Sequence, residues 1–246
     1  MTRAEWNNVR VILLDIEGTT TPIDFVYKTL FPYAAKNVGV FLSERLDEPE
    51  IRAIARDLKA EHSKDSAAGL APTAWPADSN DELRDCVAYV QWLMARDSKC
   101  TPLKSLQGKV WQRGFESGEL HGEVYADVPR AFARWLRQGR DIAIYSSGSV
   151  LAQKSLFGSV PSGDLTRAIS AFFDTAVGVK SATDSYTKIA AAMGKPPREF
   201  LFLSDAEKEV VAARSAGFFA ALCDRDRATA KTSGDSITTF DDVLPD

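Results

Sequence analysis

The sequence predicts an α/β fold, a parallel sheet flanked by helices, with a helical insertion after the first strand. Three observations carry this reading. Four short, almost wholly apolar runs each end on a polar residue; helix-spaced segments follow them; and the long interval between Leu14 and Asp141 carries helical patterns instead of strands. Alternation is poor within the apolar runs, as in strands covered on both faces. Strand–helix–strand order then makes the sheet parallel.

The predicted strands span residues 9–14 (VRVILL) before Asp15, 141–145 (DIAIY) before Ser146-Ser147, 200–203 (FLFL) before Ser204-Asp205, and 218–222 (FFAAL) before Cys223-Asp224. Val128, Phe132, Trp135 and Leu136 recur at helical spacing, and Gly139 supplies the stop. Further helices are expected over residues 150–157 after Ser149, 185–193 before Gly194, and 207–216 before Gly217. The insertion carries helical candidates at 23–41, 50–58, 80–96 and 103–116, with Leu83, Val87, Val90 and Met94 marking one face of the third. The stretch SAAGLAPTAWPADS, with two prolines and little charge, reads as a long loop. The expected domains are a catalytic core of residues 1–20 and 125–246, and a helical cap of residues 21–124.

At about 150 residues per domain, 246 residues allow one large or two modest domains. With 45% apolar and 26% charged residues, wholesale disorder is excluded. A net charge of -4 argues against a nucleic-acid footprint while leaving room for a local phosphate site. The amino-terminal residues lack the apolar core of a signal peptide, and the apolar run near residue 218 is far too short to span a bilayer. Three scattered cysteines and two histidines leave little scope for a zinc site. A soluble protein of a reducing compartment, the cytoplasm, is expected. No nucleic-acid or membrane partner is expected, and no assembly segment is apparent, so a monomer is.

Chemistry concentrates at the strand ends. In Asp15-Ile16-Glu17-Gly18-Thr19-Thr20, two carboxylates two residues apart occupy a turn at the C-terminal end of a strand, where parallel sheets hold ligands. One carboxylate can attack phosphorus while the other exchanges a proton with the leaving group; the turn also reads as an acidic helix cap before Pro22. Ser146 and Ser147, ahead of Gly148-Ser149, can converge on an anion or simply cap a helix. Lys180 can neutralise a phosphate or a carboxylate, or stand in solvent. Asp205 can share a divalent cation with Asp15 or cap the helix that follows, and Glu209, four residues on, can tune a metal-bound water or merely favour the helix dipole. Hard oxygen donors without Cys/His clusters favour Mg²⁺ over zinc.

The order DIEGTT, YSSGSV, VGVK and LFLSDAEKE resembles the haloacid-dehalogenase-like phosphohydrolases, whose Rossmannoid parallel sheet carries a cap after the first strand. With PIDFVYKTLFPYA, LQGKVWQRGFESGEL, VYADV and SYTKIA, and with Glu17 where the superfamily commonly has a second aspartate, it looks more narrowly like the enolase-phosphatase (acireductone synthase) family of methionine salvage. The resemblance implies Asp15 as nucleophile and metal ligand, Glu17 as proton carrier and, through its backbone carbonyl, a Mg²⁺ ligand, Ser146 and Ser147 as the phosphate-binding pair, Lys180 as the motif lysine, and Asp205 as the later metal aspartate. Glu209 stands near the place of a further acid, where direct ligation is doubtful and an outer role fits. The implied substrate is a small phosphomonoester, 2,3-diketo-5-methylthiopentyl-1-phosphate, converted through an aspartyl-phosphate to the methylthio acireductone and phosphate. In the cap, Gln107 and Trp111 lie four apart and are candidates to receive the substrate, with Lys109 and Arg113 on a second line; an amphipathic helix with a buried Trp111 and solvated Lys109 and Arg113 is the plainer account. Tyr186, His62 and His121 read as structural, surface or hinge residues. The competing functions are a related phosphatase for another small phosphomonoester and a catalytically silent phosphoryl-ligand-binding protein.

Overall fold

A computed structural model describes residues 3–76, 78–226 and 236–246. Met1, Thr2 and Ala77, the last inside the predicted loop, lie outside the described residues. The chain divides into two compact units, Met1–Phe25 with His121–Asp246, and Val26–Leu120.

The first unit is built on a six-stranded parallel sheet: β1 (Val11–Leu14), β2 (Asp141–Tyr145), β3 (Ala171–Phe173), β4 (Phe200–Ser204), β5 (Phe219–Cys223) and β6 (Ser236–Ile237), in the order β3-β2-β1-β4-β5-β6. Every residue of β1 and β4 is buried, as expected of central strands covered on both faces. The sequence reading lacks β3 and β6. They are edge strands of three and two residues, too short for an apolar run or an alternation to declare them. Leu14 pairs with Ile144 on one side and Leu203 on the other, so Asp15, Ser146 and Asp205 leave the sheet at one end.

Helices α6 (Asp127–Arg137), α7 (Val150–Gly158), α8 (Thr183–Ala192) and α9 (Glu207–Ser215) flank this sheet. Val11, Leu13, Phe200 and Phe202 share one core with Tyr186, Ile189 and Val210, while Ile12 and Leu14 alternate to the opposite face. Val128, Phe132 and Trp135 are buried along α6, but Leu136 is exposed: consecutive helical residues turn 100° apart, and Trp135 takes the inward direction.

Helical elements α1 (Ile23–Phe25), a π-type turn (Val26–Leu30) and α2 (Phe31–Arg45) replace the single helix predicted over 23–41. Pro32 has no N–H to give the Lys28 carbonyl, which accounts for the loss of α register there. The second unit continues with α3 (Pro49–Ala67), α4 (Glu82–Ala95) and α5 (Thr101–Glu116). Helix α3 outruns its predicted end because residues 59–67 are polar and carry no periodic signal, which also delays the loop at 66–79. The face of α4 turned to the core is Cys86, Tyr89, Val90 and Leu93, whereas Leu83, Val87 and Met94 are only half-buried beside it. His62 is neither a surface nor a hinge residue: its ring lies against Trp75 and Tyr89, and its Nε2 is 2.8 Å from the Thr73 carbonyl. Cys86, Cys100 and Cys223 are free. Among the described residues no helix is long and apolar enough to cross a membrane.

Candidate active site

The turn after β1 is fixed by its own backbone. The N–H groups of Thr19, Thr20 and Thr21 all converge on the Ile16 carbonyl at 2.9–3.1 Å, and the Gly18 N–H reaches the Thr21 carbonyl at 2.9 Å. Gly18 has φ +70°, and a Cβ there would stand 2.4 Å from Asp205 Oδ2. Glycine is therefore required both for the conformation and for the approach of Asp205 to the turn.

Asp15 is 3% exposed. Its Oδ1 accepts from the Ile16 N–H at 2.8 Å and from Lys180 Nζ at 2.5 Å, while Ser204 Oγ lies 3.2 Å from Oδ2. Lys180 also pairs with Glu209 Oε2 at 2.8 Å. Ser204 Oγ is 2.9 Å from that same Glu209 oxygen, and its one proton serves one carboxylate at a time. On the other side of the turn, Ser146 Oγ donates to Glu17 Oε2 at 3.3 Å and accepts the Gly148 N–H. Asp205 donates its N–H to Thr19 Oγ1 at 3.0 Å.

The local alternatives left open by the sequence are answered by these bonds. The cap of α7 is Ser149, which accepts from the Ala152 N–H, so the Ser146 hydroxyl is turned elsewhere. No side chain caps α9, so Asp205 is not its cap. The Lys180 side chain is 10% exposed and doubly paired. Glu209 meets that ammonium, a contact that spacing from Asp205 does not reveal. Ser147 is exposed beside Ser146.

Burial and the Asp15 carboxylate raise the Glu17 carboxyl above its ordinary value, and the same two causes push Asp205 up to about 6. Burial and Asp15 raise Glu209 as well, against Lys180. Burial works against the Lys180 ammonium, but Asp15 and Glu209 overcome it and hold it above the usual lysine range. The cluster is thus an excess of carboxylates around one strongly held cation. Among the described residues no three His, Cys, Asp or Glu side chains form a metal-holding group by themselves.

Lys180 is delivered by a rigid loop that sequence reasoning did not find. Three successive carbonyls are each held: Gly178 by Tyr145 Oη at 2.9 Å, Val179 by Ser185 Oγ at 2.8 Å, and Lys180 by Tyr186 Oη at 2.7 Å. Gly178, at φ +143°, would carry a Cβ 2.2 Å from Ser185 Oγ. Tyr186 is fully buried and structural, as expected.

A family model for haloacid dehalogenase-like hydrolases matches residues 9–217. The chain is 45% identical over 238 residues to a Synechococcus elongatus protein named Enolase-phosphatase E1, covering 96% of this chain and 98% of that one. The chain belongs to the haloacid dehalogenase-like hydrolases, in the enolase-phosphatase family. A Drosophila willistoni Enolase-phosphatase E1 is 46% identical over 219 residues, 89% of this chain and 88% of that protein. The crystal structure of the UTR4 protein of Saccharomyces cerevisiae superposes with a TM-score of 0.74 at 34% identity, covering 95% of this chain and 99% of that one.

In the helical unit, the two cap candidates of this family member occupy α5. Gln107 is buried. The Trp111 indole N–H donates to the Leu30 carbonyl at 2.7 Å, and its ring stacks on Phe31 with centroids 6.1 Å apart. Lys109 and Arg113 are not simply solvated: Lys109 pairs with Glu50 at 2.8 Å and Arg113 with Glu44. Each reaches across to a neighbouring helix of the unit.

Proposed function

We propose that the chain is a Mg²⁺-dependent enolase-phosphatase that converts 2,3-diketo-5-methylthiopentyl-1-phosphate to the methylthio acireductone and phosphate. The observation that carries the reading is a buried Asp15 carboxylate gripped by Lys180 at 2.5 Å, with the Glu17 carboxyl two residues away on a serine hydroxyl. Near-full-length likeness to proteins named Enolase-phosphatase E1 supports the choice of substrate.

The donor set fits a divalent cation. Asp15, Glu17, Asp205 and Glu209 stand around one Lys180 ammonium, all donors are hard oxygens, and burial together with the Asp15 charge raises Asp205 in spite of that lysine. The close approach of Gly18 to Asp205 brings the turn backbone beside that carboxylate. Asp15 and Asp205 would hold the ion with their carboxylates and Glu17 with its backbone carbonyl. When bound, the ion supplies charge that neutralises the phosphate and draws the carboxylates together.

The residues of the chain then divide the work. A base takes a proton from the carbon beside a substrate carbonyl, and the resulting enolate oxygen takes up a proton in turn, giving the enol form. Asp15 attacks phosphorus; the carboxylate–phosphorus bond forms as the phosphorus–oxygen ester bond breaks, leaving an aspartyl phosphate. Glu17, protonated further up the pH scale than an ordinary glutamic acid, gives its proton to the departing oxygen. It then takes a proton from the water that hydrolyses the aspartyl phosphate, which restores Asp15 and releases phosphate. Lys180 balances charge on the nucleophile and on the transferred group, and Ser146 and Ser147 donate to phosphate oxygens. Glu209 holds Lys180 in line. The helical unit acts as a cap that selects the substrate through Gln107 and Trp111; because the indole N–H is already spent on Leu30, the Trp111 contribution is its ring. A monomer working in the cytoplasm completes the reading, and the three free cysteines suit a reducing compartment.

The decisive experiment supplies the diketo phosphate with Mg²⁺ and follows enol ultraviolet absorbance and phosphate release in one reaction. Both signals are expected. Phosphate without an enol signal, after controls for enol decay, identifies a simpler phosphatase.

A further inference from the structure

We infer that Arg225 is a positioning residue for this reaction, a forked clamp that sets the Asp15–Glu17 turn against Asp205. The inference rests on the roles proposed above for those acids. Arg225 follows β5 and reaches Thr19 and Asp127, 206 and 98 residues away in sequence. Its side chain is 6% exposed, and its guanidinium lies 4.3 Å from the ring centroids of both Tyr125 and Phe240. Nη1 meets Asp127 Oδ2 at 2.5 Å, and that oxygen also accepts from Thr239 Oγ1 at 2.8 Å and the Phe240 N–H at 2.6 Å. This much anchors the arginine.

The rest of the fork points at the site. Nε and Nη2 donate to the Thr19 carbonyl at 2.9 and 2.7 Å. Thr19 is thereby held at three points: its carbonyl by Arg225, its N–H on the Ile16 carbonyl at 3.1 Å, and its hydroxyl under the Asp205 N–H at 3.0 Å. One residue earlier, Gly18 has no Cβ, so the Asp205 carboxylate lies close against the turn. Any displacement of Thr19 therefore moves Asp205 relative to Asp15. A lysine could match the charge on Asp127, but only a planar guanidinium can do so while giving two N–H bonds to one carbonyl. A cavity of about 510 Å³, lined in part by Gly18, Tyr125, Asp205, Cys223 and Arg225, borders the clamp.

The test uses the full chain as Arg225→Lys and Arg225→Ala, with Thr19→Val as a partner substitution. In Arg225→Lys, hydrogen exchange at the Asp205 amide should speed up about tenfold, a loss of about 1.4 kcal/mol of protection, while amides inside β4 keep their rates. The kcat should fall about tenfold with KM within about twofold, because the turn moves and the substrate-binding groups do not. Guanidinium ion should restore part of the kcat of Arg225→Ala. Adding Thr19→Val to Arg225→Lys should cost less than the sum of the two, since both break one route. Unchanged Asp205 protection, exchange that rises throughout β4 together with Asp205, loss of the fold in Arg225→Lys, or additive effects would each overturn the clamp. The exchange measurement needs no substrate. A chain inactive on the diketo phosphate but showing the local exchange change would sink the proposed reaction and leave the clamp standing.

Discussion

In the α/β unit, the ionisable groups Asp15, Glu17, Lys180, Asp205 and Glu209 gather at one end of the sheet, and the Asp15–Lys180 pair has side chains only 4% and 10% exposed. In the helical unit, most charged pairs lie toward the surface, Arg52 on Asp47, Lys64 on Glu61, Lys109 on Glu50 and Arg113 on Glu44, and the buried Asp85 is held by Ser79 and by an exposed Arg84. What is buried there is a core of Val38, Phe41, Leu58, Tyr89, Val90 and Leu106. The same ion-pair chemistry has different consequences in the two places. Removing one partner of a buried pair strands a charge, at about 3–5 kcal/mol, whereas an exposed pair contributes about 0–1 kcal/mol because water replaces the lost partner. The first unit holds its charges against solvation, which is what a reacting centre requires, and the second takes its stability from apolar packing.

The largest effect should come from Asp15→Asn. Asparagine keeps the shape but is a poor nucleophile, so phosphate release should drop to background. Enol absorbance can persist if the substrate still binds. Normal phosphate release from folded protein would reject the covalent step and with it the special status of the buried pair. Glu17→Gln comes next, with phosphate release slowed about 10²–10⁴-fold by the loss of proton exchange. Rapid mixing with both optical and phosphate readouts tells whether enolisation slows too; a normal enol signal moves the enolisation base to another side chain. Lys180→Ala should lower kcat/KM by about 10²–10³-fold, equivalent to about 3–4 kcal/mol, as Asp15 and Glu209 are left facing each other and the incoming phosphate without a cation. An exposed lysine such as Lys188 changed in the same way is the control, and an equal loss from both would erase the contrast between the units.

The parts of this arrangement legible in the sequence are those whose signal is local. The runs ending at Leu14, Tyr145 and Leu203 declare buried strands, and the polar residue after each is carried to the same end of the sheet by parallel register. The edge strands β3 and β6 are too short to leave a pattern. The π-type turn at Val26–Leu30 needed the consequence of Pro32 to be followed back one helical turn, and the inward face of α4 needed the positions of α2, α3 and α5. Within the site, Asp15, Glu17, Ser146, Lys180 and Asp205 stand out as polar groups at strand ends or turns. Their supports do not: Tyr145, Ser185 and Tyr186 act through backbone carbonyls of the Gly178–Lys180 segment, and Arg225 reaches Thr19 across 206 residues. Such contacts leave no spacing rule, because a carbonyl is present at every residue.

Within the helical unit the effects should be an order smaller and fall on stability before activity. Trp111→Phe keeps an aromatic ring against Phe31 but leaves the Leu30 carbonyl without its indole donor, which should cost about 0.5–1.5 kcal/mol in denaturant unfolding. If Trp111 touches substrate with its ring, KM stays within about threefold for Phe and rises for Ala, because the hydrogen bond does not reach the ligand.

The smallest change is expected for Lys109→Gln. Its ammonium meets Glu50 at 2.8 Å, the same distance as Lys180 from Glu209, yet the Glu50 side chain is 65% exposed. Glu50 also sits in the first turn of α3, where the helix dipole favours a carboxylate with or without a lysine opposite. The substitution therefore removes a screened attraction and touches no capping residue of either helix. Stability should fall by about 0.5 kcal/mol or less, a shift of about 1–2 °C in Tm for a chain of this size. Repeating the melt at high salt should shrink even that difference, since the wild-type pair is weakened by screening and the glutamine is not. A loss above about 2 kcal/mol that survives high salt would mean that Lys109 and Glu50 are held as tightly as Lys180 and Asp15, and would erase the contrast between this pair and the buried one.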